Sequence, residues 1–353
     1  MSTTTAPGST KSRPRRSVVA ATAAVAACLM AALVSAQPPP VHDPCMAEED
    51  GFYVLFGTGR GVPMRRSRDL VTWERAGRVF EAPPAWAEEI VCRRPPGRRR
   101  DDLWAPAIVR MNGRWHLYCA ASIFGKNDSR IGLATNATLE PSHANYRWTD
   151  EGVVIESRPG RDDFNAIDAE VVFGDDDVPW LLFGSFFSGI KAGRLDAATG
   201  KLAESPPMLR TIARRPDEHA IENAAVIRRE GWWYLFASFD ICCRGVESTY
   251  NVRVGRSRDL LGPYVDRDGR PMLDGGGTTI LEGDGTVRGP GGASVFVEDG
   301  RRGAAEVGRV LLVHHFYDAT RGGFAALQVR PLEWDAEGWP SVGKPLGVAT
   351  GRP

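Results

Sequence analysis

Three carboxylates in the sequence stand among small or apolar residues, where an acid is costly to keep. They are Asp43, between His42 and Pro44; Asp168, between Ile167 and Ala169; and Glu222, between Ile221 and Asn223. A carboxylate in such surroundings loses hydration and needs a partner or a task to offset that loss. Taken singly, each acid would be better explained as a turn cap. Their significance therefore depends on whether the fold brings them together.

Three carboxylates around one pocket suit the hydrolysis of a glycosidic bond. One carboxylic acid protonates the leaving oxygen while another carboxylate activates water, and their separation decides the stereochemistry of the product. Aromatic residues, 9% of the chain, supply the ring faces on which sugars stack. A cluster of metal ligands is the competing interpretation.

Short aromatic and β-branched runs recur beyond residue 37 and are typical of buried strands. The runs are Phe52 to Phe56, Trp115 to Tyr118, Trp180 to Phe183, Trp232 to Phe236 and Val310 to Val313. Most follow a polar turn, and several precede a second strand and a bend. A repeat of this order, about 60 residues long, predicts stacked four-stranded units. The sequence therefore predicts an all-β fold, a five-bladed β-propeller, with a pair of β-sandwiches as the alternative.

Each of the three acids lies about 10 residues before an aromatic run, so the repeat predicts that they occupy equivalent positions in their units. The innermost strand of each propeller blade lines a central channel. We therefore expect Asp43, Asp168 and Glu222 to face one shared funnel.

The charge balance argues against two classes of partner. The chain has 44 Lys and Arg against 44 Asp and Glu, whereas binding to nucleic acid or to an anionic membrane requires a basic excess. The 39 glycines and 25 prolines predict many turns in an ordered chain.

Residues 1–36 have the features of a secretory signal peptide. A basic stretch ending at Arg15 and Arg16 precedes an uncharged apolar run from Val18 to Val34, and small residues up to Ala36 provide a cleavage site. A transmembrane anchor is the alternative, but the run is short for ~30 Å of hydrocarbon. We expect Sec or twin-arginine export to the periplasm or the medium, a mature propeller domain over 37–353, and no membrane attachment after cleavage.

Export affects how the cysteines are interpreted. Removing Cys28 with the signal peptide leaves five, which cannot all pair, so at least one thiol is expected to be free. They are Cys45, Cys92, Cys119, Cys242 and Cys243. The adjacent pair Cys242 and Cys243 is compatible either with a strained ring or with two separate thiols.

Seven segments give the chain a resemblance to glycoside hydrolase family 43, and within it to the endo-1,5-α-L-arabinanases, over residues 41 to 340. The segments are His42-Asp43-Pro44, Leu103-Trp104-Ala105-Pro106, Ile131-Gly132-Leu133-Ala134-Thr135, Asp163-Phe164-Asn165-Ala166-Ile167-Asp168, Phe183 to Ile190, Ser238 to Asn251 and Leu327 to Leu332. Each motif is weak alone, and it is their number and order that carry the resemblance.

The resemblance implies a five-bladed propeller and an inverting mechanism acting on plant cell-wall arabinan. It implies that Asp43 is the general base, Glu222 the general acid, and Asp168 the carboxylate that orients the acid and raises its pKa. The residues implied to bind substrate are Trp104, Phe124, Asn165, Ser185 and Phe187. His315 matches a histidine that reaches a central hydrated ion, usually taken as calcium, with a packed histidine as the alternative. We expect a monomer.

Several positions around the predicted channel depart from the family pattern. Ala107 replaces an aspartate, Asn223 and Ala224 follow the acid in place of Ala-Pro, Gly292 and Ala293 replace His-Asn, and Phe187 stands where tryptophan is usual. These changes leave rate and linkage preference open. The leading hypothesis is an endo-acting arabinanase. The alternatives are an exo-acting α-L-arabinofuranosidase or β-xylosidase of the same family, and a non-catalytic carbohydrate-binding propeller.

Overall fold

The structure, a computed structural model, describes residues 1–5, 37–95, 101–298 and 308–347. All the secondary structure described below lies in a unit spanning Pro38–Gly347. The predicted signal peptide lies, from residue 6 onward, outside the described residues. Within the described ranges, no helix is long and apolar enough to cross a membrane.

Five antiparallel sheets follow one another along the chain, and each is one blade of a propeller. The first contains β1 (Cys45–Glu49), β2 (Phe52–Phe56), β4 (Pro63–Ser67) and β5 (Glu74–Arg78), and the second contains β6 (Asp102–Met111), β7 (Arg114–Ser122), β8 (Ser129–Asn136) and β9 (Thr149–Ser157), with the short β3 (Gly59–Arg60) beside β6. The third contains β10 (Glu170–Phe173), β11 (Pro179–Phe183), β12 (Ile190–Asp196) and β13 (Lys201–Leu202), with β14 (Arg210–Ala213) also paired to β12. The fourth contains β15 (Ile221–Arg229), β16 (Trp232–Phe239), β17 (Asn251–Ser257) and β18 (Thr278–Leu281), and the fifth contains β19 (Val287–Val297), β20 (Val310–Asp318), β21 (Phe324–Trp334) and β22 (Pro340–Val342). The prediction of an all-β, five-bladed propeller is confirmed.

In the first, second and fourth blades, the polar turn found in the sequence is a two-residue hairpin turn between the first and second strands, whereas the turn of the third blade, between Phe173 and Pro179, is longer. Asp50 and Gly51 both have positive φ, 52° and 73°, and the strand pairing closes directly around them. Asn112-Gly113 and Glu230-Gly231 repeat this geometry in the second and fourth blades. Two positive φ values define the turn whose twist matches a hairpin, which explains the preference for Asn, Asp and Gly there. The aromatic run after each turn is the second strand, so the innermost strands are β1, β6, β10, β15 and β19.

Five apolar clusters hold the blades together, one at each blade-to-blade interface. The interface of the first and second blades contains Phe56 and Leu117, and the interface of the second and third contains Tyr118 and Phe183. The interface of the third and fourth blades contains Leu182 and Leu235, and the interface of the fourth and fifth contains Tyr234 and Leu312. Leu55 and Val313 lie between the fifth and first blades. All ten side chains are at most 1% exposed. Each blade thus buries both faces of its sheet against its neighbours, which is how a propeller avoids long exposed edges.

The segment before β1 lies against the fifth blade, where the ring closes. The N–H of Leu327 in β21 donates to the carbonyl of Pro39 at 3.0 Å, and Pro40 forms an isolated bridge with Ala326. This contact leads the chain into the channel at His42 and Asp43.

One short helix, α1 (Ala85–Val91), is the only α-helix among the described residues, together with 3₁₀ turns at Gly245–Glu247, Met272–Asp274 and Ala319–Arg321. Its Trp86 ring lies flat on Gly132 of β8, where an added Cβ would be 2.2 Å from the indole. A side chain is therefore excluded at position 132.

Candidate active site

Every innermost strand has a residue in the left-handed region within it or just before it, near the channel. These residues are Asp43 (φ 46°), Ala105 (φ 39°), Asp168 (φ 59°), Asn223 (φ 54°) and Gly292 (φ 57°), and β19 also contains the left-handed Gly289 (φ 48°). In the second, fourth and fifth blades this residue lies in a register shift, a bulge that re-aims neighbouring side chains. Asp, Asn and Gly tolerate this conformation better than most residues. The five positions are structurally equivalent.

Only two of the three predicted carboxylates occupy these equivalent positions. Asp43 and Asp168 are the left-handed residues of their blades, whereas Glu222 comes one residue before the left-handed Asn223. Glu222 instead corresponds to Trp104 of the second blade, since both are paired with the next strand just before the bulge. Glu222 thus lies one residue before the left-handed position of its blade, whereas Asp43 and Asp168 occupy that position in theirs.

Asp43 is held by hydrogen bonds to one of its two carboxylate oxygens. Its Oδ2 is 2.7 Å from His42 Nδ1 and accepts from Thr58 Oγ1 at 2.7 Å. Thr58 Oγ1 in turn accepts from the N–H of Ala105 at 2.8 Å, so its hydroxyl proton is directed to Asp43. The other oxygen, Oδ1, lies 3.6 Å from His315 Nδ1, which is beyond hydrogen-bond distance.

His42 links Asp43 to the fifth blade. Its Nε2 is 2.8 Å from the hydroxyl of Tyr317, and its ring stacks on His315 with centroids 3.8 Å apart. Burial alone would raise the pKa of Asp43, but the charge and hydrogen bond of His42 lower it to about 2. The carboxylate correspondingly raises the pKa of His42 well above its usual value, although burial opposes this. Asp43 is therefore kept ionised.

Glu222 is 8% exposed and accepts one hydrogen bond at each oxygen. Ser185 donates to Oε2 at 2.6 Å and Tyr250 donates to Oε1 at 2.7 Å. Ser185 reaches it because the turn after β11 forms a bridge with the start of β15. Burial raises the pKa of Glu222, although the two hydrogen bonds act in the opposite direction.

Asp168 is buried in the same channel and interacts electrostatically with both other acids. Burial, then the charge of Glu222 and then that of Asp43, raise the pKa of Asp168 well above its usual value. The repulsion between Asp168 and Glu222 is mutual, so ionisation of one favours the protonated form of the other. The site thus combines one carboxylate that stays ionised with two that resist ionisation, the arrangement that separates a base from an acid.

His42, Asp43 and His315 form a cluster in which one ligand atom from each lies within 4.8 Å of the others. Calcium takes six to eight oxygen ligands, and this cluster offers one carboxylate and two imidazoles. His315 Nδ1 accepts the N–H of Asp43 at 3.1 Å, so the hydrogen of the neutral ring is on Nε2. That buried Nε2 has no hydrogen-bond partner among the described residues, which suits donation to a water rather than direct ligation. The side chains do not form a calcium cage.

The residues implied to bind substrate have different environments in the structure. Phe124 and Phe187 are exposed, by 57% and 38%. Trp104 is half-buried under the guanidinium of Arg94. Asn165 is buried and accepts from Ser129 at 2.6 Å, and Ser185 is buried against Glu222.

Several residues of the site carried no functional expectation from the sequence. They are His42, Thr58, Tyr250, Tyr317 and Cys243. His42 is adjacent to Asp43 and was within reach of sequence reasoning, since an imidazole beside a candidate base is a natural charge partner. Thr58 and Tyr250 come from other strands, and their contacts depend on pairing that no local pattern reveals.

Ala107 and Ala293, two of the positions that depart from the family pattern, pack in the apolar clusters between blades. Ala107 is buried, and Asn223 Oδ1 has no hydrogen-bond partner among the described residues. A Cβ at Gly292 would lie 2.5 Å from Asp43 Oδ1 and 2.6 Å from His315 Cε1. The His315 ring therefore fills the space that a side chain at position 292 would need.

Comparisons with known proteins agree with this fold. The family model described as glycosyl hydrolases family 43 matches residues 37–340. An extracellular exo-α-(1→5)-L-arabinofuranosidase of Cellvibrio japonicus is 38% identical over 312 residues, which covers 86% of each chain. An extracellular endo-α-(1→5)-L-arabinanase of Bacillus subtilis is also 38% identical, over 306 residues, covering 85% of this chain and 87% of the relative.

A solved structure matches nearly the whole described unit. The α-L-arabinanase of Cellvibrio cellulosa complexed with arabinohexaose superposes with a TM-score of 0.80 at 37% identity, covering 87% of this chain and 96% of that one.

Proposed function

The chain belongs to glycosyl hydrolase family 43, and from that premise we propose that it cleaves α-1,5-linked arabinan internally with inversion at the anomeric carbon. It is a glycoside hydrolase of the arabinanase type. The observation that carries the proposed mechanism is the contrast between Asp43, kept ionised by His42 and Thr58, and Glu222, whose pKa burial raises.

In the proposed mechanism, Asp43 is the general base. Its Oδ2 accepts hydrogen bonds from His42 and Thr58, so Oδ1 accepts a proton from the attacking water. Glu222 is the general acid and donates its proton to the leaving oxygen. For that, one of its two hydrogen bonds must reverse, and the hydroxyl of Tyr250 or Ser185 accepts from the protonated acid.

Asp168 is proposed to assist the acid rather than to react. Its charge, when present, makes ionisation of Glu222 less favourable, because two buried carboxylates in one channel repel each other. Trp104, Phe124, Asn165, Ser185 and Phe187 are proposed to line the substrate groove. Phe124 and Phe187 are exposed aromatic side chains, the residue type on which sugar rings stack.

An exo-acting enzyme, an α-L-arabinofuranosidase or a β-xylosidase, is the second candidate. The Cellvibrio japonicus relative is named an exo-acting arabinofuranosidase and is as similar, at 38% identity, as the relative named an endo-arabinanase. Digestion of debranched arabinan distinguishes the two modes. Oligosaccharides among the first products support internal cleavage, whereas release of monosaccharide alone would replace the proposal with exo cleavage. Aryl α-L-arabinofuranosides and β-xylosides tested in parallel identify the sugar.

The calcium ion predicted beside His315 takes no part in the proposed mechanism. Its proposed place is a water-mediated contact with the unpartnered Nε2 of His315, since the cluster offers a single carboxylate. We expect hydrolysis to persist after dialysis against a chelator, with metal content measured on the same sample. Loss of hydrolysis that added calcium restores would instead give the ion a functional role.

We propose that residues 1–36 are a signal peptide and that the mature enzyme is exported as a monomer. Two relatives with 38% identity are named extracellular. Amino-terminal sequencing of protein from the medium tests the cleavage site after Ala36, and size-exclusion chromatography tests the monomer.

A further inference from the structure

Two adjacent thiols, Cys242 and Cys243, lie in the turn that follows β16 and reaches the channel. Both are free, Cys243 is exposed and Cys242 is half-buried. The sulfur of Cys243 lies 3.8 Å from Nε2 of His42, the residue that holds the proposed base. We propose that Cys243 is a modification site, and that its reaction with small electrophiles or small disulfides closes the catalytic channel. The proposal rests on the proposed function of that channel.

The backbone of this turn is held in place. The N–H of Cys243 donates to the hydroxyl of Tyr317 at 2.8 Å, and that hydroxyl is also 2.8 Å from His42 Nε2. Ser248 Oγ accepts from the N–H of Arg244, and the N–H of Thr249 donates to the carbonyl of Ile241. A group added to the sulfur is therefore not carried out of the channel by movement of the turn.

An adduct on Cys243 must disturb the environment of Asp43. Sulfur and imidazole are already in contact, so no added atom fits between them without displacing the His42 ring. His42 is bonded to both Asp43 and Tyr317, and displacement of the ring removes one of the two hydrogen bonds to Asp43 Oδ2.

The reaction with a disulfide is a balanced exchange. The Cys243 thiol loses its proton and attacks one sulfur of R–S–S–R, which forms Cys243–S–S–R and releases R–S⁻, and R–S⁻ takes up the proton. Cys243 and one R–S group thus share the new disulfide, and the other R–S group leaves as R–SH.

Cys92 provides a matched control, because it is also free and exposed. It follows α1, packed on the second blade, and its backbone N–H bonds within that helix. The experiment treats the full chain, Cys243→Ser and Cys92→Ser with iodoacetamide, and separately with cystamine. Each modified cysteine is identified by peptide mass spectrometry, and hydrolysis is measured on arabinan and on the aryl glycosides.

We expect hydrolysis by the wild type and by Cys92→Ser to fall about tenfold or more as Cys243 is labelled, the scale on which a displaced catalytic group costs rate. Cys243→Ser should keep most of its own starting activity, and dithiothreitol should restore activity after cystamine but not after iodoacetamide. Full labelling of Cys243 with unchanged hydrolysis, or equal inactivation of Cys243→Ser, would overturn the proposal. Failure of the proposed function would be seen before any treatment, because the untreated enzyme would then release no oligosaccharides from arabinan or would not hydrolyse it. Hydrolysis of the aryl glycosides would still show whether modification of Cys243 blocks the channel.

Discussion

At the scale of single residues, the proposed base and acid differ in what surrounds them. Asp43 has an imidazole and a hydroxyl at one oxygen, whereas Glu222 is buried with one hydroxyl at each oxygen. The same chemical group is thereby directed toward opposite protonation states. This difference makes the two roles separately testable.

Replacing either carboxylate by its amide should lower turnover while preserving the fold. We expect Asp43→Asn and Glu222→Gln each to reduce kcat by at least ~100-fold, the low end of what a positioned acid or base contributes. Initial rates on arabinan measure the effect, and Asp268→Asn on an exposed turn of the fourth blade is the control. Near-native turnover by either variant would remove that residue from the mechanism.

Hydrogen bonds to the acid should set the alkaline limit of activity. The bond from Ser185 stabilises the ionised form of Glu222 and so lowers its pKa. In Ser185→Ala the pKa should rise, and the fall of kcat/KM with increasing pH should move to higher pH. Thr58→Val is the matched control, because Thr58 lowers the pKa of Asp43 instead. That variant should move the acidic limit upward and leave the alkaline limit in place; the opposite pattern would exchange the assigned roles.

The site could be predicted from the sequence only in part, because several of its contacts join residues that are far apart in the sequence. Asp43, Asp168 and Glu222 stood out because each sits in a local apolar stretch. Thr58 and Tyr250 donate hydrogen bonds to Asp43 and Glu222, but they lie 15 and 28 positions away from them in the sequence. Such contacts arise from strand pairing, and nothing in the local sequence records them.

At the scale of elements, the sequence predicted the blades better than their register. The aromatic runs and the Asp-Gly and Asn-Gly turns fall at the second strands and the first hairpins, since both signals are local. The bulges at Asn223 and Gly292 add residues to innermost strands, and no local sequence pattern marks them. For this reason the sequence did not show that Glu222 precedes the left-handed residue of its blade.

The contact between α1 and β8 should be intolerant of a single added methyl group. A Cβ at position 132 would lie 2.2 Å from the Trp86 ring, so Gly132→Ala must displace the helix or the strand. We expect the free energy of unfolding to fall by about 1–3 kcal/mol, the usual cost of overpacking. Denaturant titration measures it, and a Trp86→Leu background, in which the ring is absent, should show a smaller loss. An equal loss in both backgrounds would contradict the ring contact as the cause.

At the scale of the whole molecule, stability and function depend on the same circular arrangement. Five apolar clusters join the blades, and the cysteines among the described residues are all free, so blade packing rather than covalent links holds the ring. The ring in turn places Asp43 on the first blade, Asp168 on the third and Glu222 on the fourth. Loss of one interface would therefore separate catalytic groups that are distant in sequence.

This placement leads to a prediction about stereochemistry. Asp43 and Glu222 project into the channel from non-adjacent blades, so a sugar and a water have to fit between them. A base and an acid that flank a water stand about 6.5–9.5 Å apart, whereas a nucleophile and an acid stand about 5–5.5 Å apart. Asp43 is also kept ionised by His42, which suits a base that accepts a proton in every turnover. Hydrolysis should therefore invert the anomeric carbon, and NMR spectra recorded before mutarotation should show β-arabinofuranose as the first product from an α-linked substrate. Heat-inactivated enzyme is the control for spontaneous hydrolysis, and α-arabinofuranose as the first product would refute both inversion and the role of Asp43 as base.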